Sequence, residues 1–294
     1  MKSRIRFIIN PRSGVGTKQE LPSLIRQTID SKRFETEIRY TEYPRHAAEL
    51  SAEAEKSGTE IIAVAGGDGT VNEAAGALLH SASSLAVIPL GSGNGLARHL
   101  SIPIAMSDAL ENINSGKRKV IDSFKAAQYN GFGTFGIGFD AHIAHLFSAS
   151  VKRGYATYVK LVLREFARYR PSAIKMILDG NAMELSPFLL TVANSSQFGN
   201  NAVIAPQADI SDGWLDLAIV KPFPFLAAPG LIYRLGNNSL HRSKYYQSFR
   251  SRKIDFFPGA PLKAHIDGEP VEISGQFSVE IIPSSLGIIV PSAL

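Results

Sequence analysis

Ile61-Ile62-Ala63-Val64-Ala65-Gly66-Gly67-Asp68-Gly69-Thr70-Val71-Asn72-Glu73 is the stretch on which the reading of this chain turns. It begins as an apolar, largely β-branched run, the pattern of a strand covered on both faces. It breaks into a loop made almost wholly of glycine and continues as Val71–Leu79, which reads as a helix. Thr70 and Glu73 have the spacing of a capping box, so the helix is predicted to start at Thr70. A strand-to-helix turn without β-carbons lets backbone N–H groups approach a polyanion, and the helix N-terminus adds a favourable field. Asp68 is the unexpected member. A carboxylate in such a loop repels phosphate unless a divalent cation lies between them. The stretch therefore suits a nucleotide–magnesium site. It also suits a plain tight turn, with Asp68 solvated and Thr70 a cap.

The flanking chain favours the first reading. Arg4–Asn10 reads as a strand, followed by the loop Asn10-Pro11-Arg12-Ser13-Gly14-Val15-Gly16 and a helix over Lys18–Ile29. Phe34–Thr41 is a second strand, and Arg45–Lys56 a helix ending at Gly58. Leu85–Pro89 is a fourth strand running into Leu90-Gly91-Ser92-Gly93-Asn94-Gly95-Leu96-Ala97-Arg98, with a further helix over Ile104–Asn114. Alternation of strands and helices implies right-handed crossovers and a parallel sheet, with ligands at the carboxyl ends of its strands. Three glycine loops that all follow strands should gather on one sheet edge.

After about Lys119 short strand-like runs take over: Val120–Tyr129, Gly131–Gly136, Ala173–Leu178, Met183–Leu185, Phe188–Ala193, Leu215–Val220, Ile254–Phe257, Leu262–Ile266, Pro270–Ile273 and Phe277–Pro283. Asn130-Gly131, Asp179-Gly180 and Asp267-Gly268 are hairpin dipeptides. Helices interrupt near Ala141–Ser150 and Tyr155–Tyr169. The expected architecture is an α/β domain over residues 1–120 and an antiparallel β-sandwich over 121–294, whose last residues can pack back on the first domain.

Composition sets outer limits. The chain of 294 residues, 45% hydrophobic and 19% charged, is long enough for two cores and has the balance of a soluble globular protein. It has no cysteine, which excludes disulfides and thiolate chemistry. Neither the N-terminus nor any apolar run reads as a signal peptide or a bilayer span, so a cytoplasmic protein is expected. A net charge of +5 is compatible with nucleotides, nucleic acid or anionic membrane.

Gly66–Glu73, Pro89–Arg98, Gly136-Ile137-Gly138-Phe139-Asp140, Asp212-Gly213-Trp214-Leu215-Asp216 and Asp267-Gly268-Glu269-Pro270, in this order, resemble the diacylglycerol kinase catalytic-domain family. That family includes bacterial soluble lipid kinases and the sphingosine kinases. The resemblance covers nearly the whole chain. It implies an N-terminal domain of the phosphofructokinase and NAD kinase type, a β-sandwich lipid domain, and an active site in the cleft between them. It also implies that Asn10, Pro11, Arg12, Ser13 and Gly14 line ATP together with Thr41. Gly66, Gly67, Gly69, Thr70, Val71 and Asn72 would hold the phosphates, Ser92 would complete the cradle, and Asp68 would reach a catalytic Mg2+. A structural magnesium would be held by the Asp212 carboxylate and the carbonyls of Asp209 and Trp214; without the resemblance that loop is a plain turn. Asn94 and Asp140 are the candidate substrate contacts, Asp140 serving equally well as a cap of the following helix. One departure stands out: the bacterial pattern has an acid where this chain has Gly95, and Gly91-Ser92-Gly93-Asn94 is closer to the sphingosine kinase form.

A lipid hydroxyl is a poor nucleophile at neutral pH, so phosphoryl transfer to it calls for a base. His265-Ile266-Asp267-Gly268-Glu269-Pro270 offers two carboxylates on a tight turn, with Pro270 restraining the backbone at Glu269. The resemblance makes this turn the source of the catalytic acid, with Glu269 as base and Asp267 assisting; a purely structural hairpin is the other reading. Lys160, Arg164 and Arg168, and further on Arg242, Lys244, Arg250, Arg252 and Lys253 interleaved with Tyr245, Tyr246 and Phe249, suit docking to an anionic membrane or a solvated basic face. No nucleic-acid motif accompanies them. His142 and His145 read as structural. The expectation is a peripheral-membrane, ATP- and magnesium-dependent lipid kinase, with diacylglycerol the first-choice substrate and a homodimer left open. An NAD kinase-like enzyme and a non-catalytic lipid-binding regulator are the alternatives.

Overall fold

A computed structural model describes residues 2–14, 20–150, 155–166, 168–198 and 202–292. The chain divides into two units, Met1–Asp122 with Ser284–Leu294, and Ser123–Pro283.

In the first unit strands and helices alternate: β1 (Ser3–Ile9), α1 (Leu21–Thr28), β2 (Phe34–Tyr40), α2 (His46–Lys56), β3 (Ile61–Gly66), α3 (Asp68–Ala77), β4 (Ser84–Pro89), α4 (Gly95–His99) and α5 (Met106–Ser115). The strands run parallel in the order β2-β1-β3-β4, and Gly287 and Ile288 pair in parallel with Ser84 and Leu85 beyond β4. Ile5, Phe7, Ile9, Ala63, Ala65, Ala86 and Ile88, alternate residues of β1, β3 and β4, form one core with Leu21 and Ile25 of α1 and Ala109, Leu110 and Ile113 of α5. Helices α2 and α3 also lie against these strands. With both faces covered, β3 and, after Ser84, β4 are continuously apolar, as the sequence suggested. The first helix was expected from Lys18; Lys18, like Val15 and Gly16 of the loop before it, lies outside the described residues.

The predicted capping box is not what starts α3. The helix begins at Asp68, with Gly67 extended at its N-cap (φ −88°, ψ −178°) and the Val71 N–H donating to the Gly67 carbonyl at 3.0 Å. Thr70 Oγ1 accepts instead from Asn10 Nδ2 at 2.8 Å, and Glu73 Oε1 accepts the Arg45 N–H at 3.0 Å. With the helix starting at Asp68, Thr70 falls inside the first turn instead of at the cap, packed so close to the strand end that a β-carbon at Gly66 would meet Thr70 Cβ at 2.6 Å.

The second unit is built mainly of β-strands, with three α-helices among its described residues. Along the chain come β5 (Lys117–Ala126), which enters it, then β6 (Tyr129–Gly131), β7 (Thr134–Gly138), α6 (Phe139–Ser148), α7 (Tyr155–Phe166), β8 (Ile174–Leu178), β9 (Asn181–Leu185) and β10 (Leu189–Ala193). They are followed by β11 (Leu215–Val220), α8 (Ala228–Gly236), β12 (Tyr246–Ser251), β13 (Lys253–Phe257), β14 (Leu262–Ile266), β15 (Glu269–Ile273) and β16 (Phe277–Val290). One antiparallel sheet has the order β12-β11-β10-β7-β14-β15, and β13, β8, β9 and the first part of β16 form an antiparallel set opposite it. Phe135, Ile137, Leu190, Val192, Leu215, Leu217 and Ile266 of the first meet Phe124, Met176, Ile254, Phe256, Phe277 and Val279 of the second in a single buried core. Phe135 sits 5.8 Å from both Phe256 and Phe277, ring centre to ring centre. This is the sandwich that the alternating short runs implied.

Two of the three hairpin dipeptides turn the chain. Asp179-Gly180 joins Leu178 to Asn181, and Asp267-Gly268 joins Ile266 to Glu269, all four turn residues having positive φ. Asn130-Gly131 does not. It lies within β6, while Ala127-Gln128 makes the turn between Ala126 and Tyr129, with Ala127 at φ +53°. Gly131 is there for packing: a β-carbon would stand 2.1 Å from Phe124 Cζ.

Candidate functional site

The three glycine loops of the first unit do meet. Order β2-β1-β3 places a topological switch between β1 and β3, where loops leave the sheet on opposite sides and open a crevice. Asn10 N donates to the Ala65 carbonyl at 2.9 Å and Leu90 N to the Gly66 carbonyl at 2.8 Å, tying the three strand ends together. Gly67 N donates to Ser13 Oγ at 3.3 Å. Thr41 N bonds the Ile9 carbonyl at 3.0 Å, so the end of β2 joins the same edge. Gly14 has φ +70°, and a β-carbon there would stand 2.1 Å from the Leu90 carbonyl oxygen. At Gly91 a β-carbon would lie 2.9 Å from Gly67 Cα, and at Gly93 2.9 Å from Asp68 Oδ2. Side chains at these positions would fill the space in which the loops approach each other, which is why the three motifs are built of glycine.

Asp68 is the clasp between two of the loops. Oδ2 accepts the Asn94 N–H at 2.9 Å and Oδ1 the Gly95 N–H at 2.8 Å, the first donors of α4. A carboxylate from another helix thus caps α4 where an N-cap side chain does not. Gly95, the position at which the family pattern has an acid, gives its N–H to this carboxylate. A carboxylate oxygen is a hard donor of the kind that holds a divalent cation beside a phosphate, and Asp68 is the acid among these loops. Asn94, expected at the substrate, is 5% exposed and in the left-handed region (φ +52°); its amide bonds Gly91 N and O at 3.0 and 2.8 Å. It braces its own loop. Ser92 is exposed on that loop's outside.

In the second unit the Asp267-Gly268 hairpin is locked to the segment before β7. Asp267 Oδ1 accepts the N–H groups of Gly133 and Thr134 at 2.7 and 2.8 Å, and Oδ2 that of Phe132 at 2.9 Å, while Asp267 N donates to the Thr134 carbonyl at 2.8 Å. Three donors take up most of this carboxylate's lone pairs. Glu269, two residues on, opens β15 with an exposed side chain. The two acids therefore divide as anchor and exposed carboxylate.

Sequence reasoning missed His265. On β14, its Nε2 lies 2.9 Å from Asp140 Oδ2, His265 being buried and Asp140 partly so, and its Nδ1 is 3.4 Å from the Gly268 nitrogen of the hairpin. Asp140 Oδ1 accepts the Ala141 N–H at 2.8 Å, within the first turn of α6 whose N-cap is Gly138. Asp140 is thus bound to His265 and to its own helix. The available signal was Gly136, which pairs with His265 across the sheet: a β-carbon there would be 2.1 Å from His265 Nε2 and 2.4 Å from Asp140 Oδ2. Burial, with the charge of Asp140 adding, pushes the Tyr169 phenol up to about 12. His142 pairs with Glu165 at 3.1 Å and His145 Nε2 lies between the Ala264 and Val271 carbonyls, which suits structural roles. Bonds from His142 and then Arg164 hold the Glu165 carboxyl below its usual range.

Most of the second basic cluster is occupied. Arg250 bonds Asp212 and lies 3.7 Å from Asp216, and Arg250 and Arg252 both stack on Trp214, at 5.5 and 4.7 Å from its ring centre. Asp212 Oδ1 accepts the Trp214 N–H and Asp209 Oδ1 the Ser211 N–H, each at 3.0 Å. A cation bound through Asp212 must therefore compete with the Arg250 guanidinium. Among the described residues no three His, Asp or Glu side chains gather as a metal site. Burial, opposed by Arg250 and aided by Asp212, holds the Asp216 carboxyl above its usual range.

A switched parallel sheet with three interlocked glycine turns, on a chain that also forms a β-sandwich, defines a nucleotide-site α/β unit joined to a β unit. The diacylglycerol kinase catalytic domain matches residues 4–126, and the YegS C-terminal NAD kinase beta sandwich-like domain matches residues 133–290. The chain belongs to the diacylglycerol kinase catalytic-domain family, a lipid kinase family. Similar proteins include a probable YegS-like lipid kinase of Chromohalobacter salexigens, 26% identical over 285 residues, covering 94% of this chain and 91% of that one. Another, from Pseudomonas putida, is 27% identical over 282 residues, covering 94% and 93%. A crystal structure of a diacylglycerol kinase from Bacillus anthracis superimposes with a TM-score of 0.75 at 21% identity, covering 99% of this chain and 98% of that one. A second Bacillus anthracis structure reaches 0.83 at 24% identity, covering 99% and 97%. At these identities the two structures speak for the fold. No helix among the described residues is long and apolar enough to cross a membrane.

Proposed function

We propose that this protein is an ATP- and magnesium-dependent lipid kinase that transfers the γ-phosphoryl group to the free hydroxyl of diacylglycerol, giving phosphatidate. The observation that carries the reading is the meeting of the three glycine turns at the carboxyl ends of β1, β3 and β4, Gly14 against Leu90, Gly67 against Ser13 and Gly91, and Gly93 against Asp68. Backbone N–H groups of Gly69 and the start of α3 suit the triphosphate, with Asn10, Ser13 and Thr41 beside them and Pro11, Arg12, Gly67, Val71, Asn72 and Ser92 around them. A magnesium ion, when bound, neutralises charge on the transferring group. Asp68 would hold it while keeping α4 in place. Glu269 accepts the proton of the lipid hydroxyl, and Asp267 keeps the turn that bears Glu269 fixed. The names of similar proteins support a lipid substrate, and the presence of both Asp68 and Glu269 supports a working enzyme rather than a regulator.

The test is ADP release by the purified protein with magnesium and ATP, offered diacylglycerol vesicles, sphingosine, NAD, or no acceptor. Turnover with diacylglycerol that yields phosphatidate upholds the reading. Turnover with NAD alone, or with no acceptor at all, refutes it.

A further inference from the structure

Between Lys221 and Arg234 the chain runs twelve residues without a charge: Pro222-Phe223-Pro224-Phe225-Leu226-Ala227-Ala228-Pro229-Gly230-Leu231-Ile232-Tyr233. In a folded protein such a run normally disappears into a core. Here only part of it does. Phe223 rests against Phe166, Phe188 and Tyr245, and Leu231 is 8% exposed. Leu226 is 90% exposed, Tyr233 70%, Phe225 67% and Ile232 62%. Phe225–Ala227 form a turn of 3-10 helix leading directly into α8, so Leu226, Pro229, Gly230 and Tyr233 share one face at helical spacing. Phe225 lies 5.7 Å from Phe166 of α7, and one turn before Phe166 stands Leu163, 66% exposed. The apolar surface is therefore continuous over two helices, held from below by Phe223 and Leu231.

The charge around it is of one sign. From Leu217 to Ile254 the chain contains no aspartate or glutamate, while Lys221, Arg234, Arg242 and Lys244 fall in the same stretch. On α7, Lys160 and Arg164 are exposed beside Leu163, and the acid of that helix, Glu165, is bonded to His142 and Arg164. An exposed apolar helix rimmed by cations is complementary to the interface of an anionic bilayer, where apolar side chains enter the acyl boundary and cations meet headgroups. We propose that Phe225, Leu226, Ile232 and Tyr233 of the α8 segment, with Leu163 of α7, form the surface by which this protein docks on an anionic membrane. The choice of a membrane as occupant rests on the lipid kinase reading; the surface itself rests on exposure and charge.

The experiment uses full-length protein and Leu226→Ser/Tyr233→Ser, changes at exposed positions. Each is co-sedimented, without nucleotide, with vesicles of phosphatidylcholine alone or mixed with phosphatidylglycerol. Turnover is then measured on long-chain diacylglycerol in the same vesicles and on a dispersed short-chain diacylglycerol. Wild type should bind the anionic vesicles, and the variant should lose on the order of tenfold or more in partitioning. Its vesicle turnover should fall in parallel while short-chain turnover stays unchanged. Equal vesicle binding by the two proteins overturns the proposal. So does a lipid-free dimer, seen by light scattering, that the variant converts to monomer, because the surface then belongs to a second copy. If wild type binds anionic vesicles and the variant does not, but wild type phosphorylates neither diacylglycerol, the docking surface stands and the substrate reading fails.

Discussion

Replacing Asp267 with Asn tests whether the carboxylate turn is divided into an anchor and a base. Oδ1 holds two N–H groups and Oδ2 a third, at 2.7, 2.8 and 2.9 Å. An amide can present one oxygen, so the Gly133 and Thr134 bonds can survive as neutral bonds. Hydrogen bonds to a charged acceptor contribute about 1.5–3 kcal/mol and neutral ones about 0.5–1.5, so those two weaken by about 2 kcal/mol together. The Phe132 N–H then faces an NH2 group and is left without its carboxylate, at a further cost of about 1–3 kcal/mol. The sum is about 3–5 kcal/mol, which in a unit of this size lowers Tm by roughly 10 °C. Glu269→Gln changes a carboxylate whose side chain is exposed at the start of β15 and keeps its shape. Its Tm should stay within a degree or so of wild type while kcat on diacylglycerol falls by roughly 10²–10⁴, with nucleotide affinity little changed. Thermal melts and steady-state kinetics on both variants read the two effects separately. An Asp267→Asn protein that melts with wild type would refute the anchor. Two variants that both turn over lipid within a few-fold of wild type would make this hairpin only a hairpin, by the same yardstick.

Asp68→Asn keeps one of the two bonds to the start of α4, so the protein should fold, yet turnover should drop by at least about 10²-fold because a metal-binding carboxylate is lost; near-normal activity of the folded variant contradicts the magnesium role. Asp216 is buried with its carboxyl held above the usual range, so its neutral form is the one the fold favours. That contribution is present below the unfolded value of about 3.9 and is lost as pH rises through the raised folded value. Asp216→Asn should then melt above wild type at pH 7, with the gap closing towards acid pH; a gap independent of pH counts against it. Lys160→Gln/Arg164→Gln/Arg168→Gln should weaken binding to anionic vesicles, with added salt mimicking the change. Unaltered co-sedimentation would make those cations a solvated surface.

Much of this architecture was legible in local patterns. Runs such as Ile61–Ala65 and Leu85–Ile88, short, apolar and followed by glycine, read as strands covered on both faces, and glycines after three of the strands mark turns that approach one another. Asp179-Gly180 and Asp267-Gly268 dictate their hairpins because two consecutive positive φ angles are needed there. Where a residue's role depends on a partner far along the chain, local pattern misleads. Thr70 looks like a cap but bonds Asn10, sixty positions away; Gly131 looks like a turn but makes room for Phe124; Lys160 and Arg164 lie on a helix that ends at Phe166, before Arg168. The helix α8 and strand β12 were missed, the first because its apolar face is turned to solvent, the second because Arg250 and the aromatic residues beside it were read as part of a basic cluster. Asp140, Asn94 and Asp267 were recognisable as acids and amides on motif loops. Their commitments to His265, Gly91 and the 132–134 backbone follow from which strands lie side by side. Sequence determines which side chains have chemistry to offer and roughly where the backbone turns. Tertiary structure decides which lone pairs and protons are already bound, because hydrogen bonding is short-ranged and the partners are brought together only by sheet register.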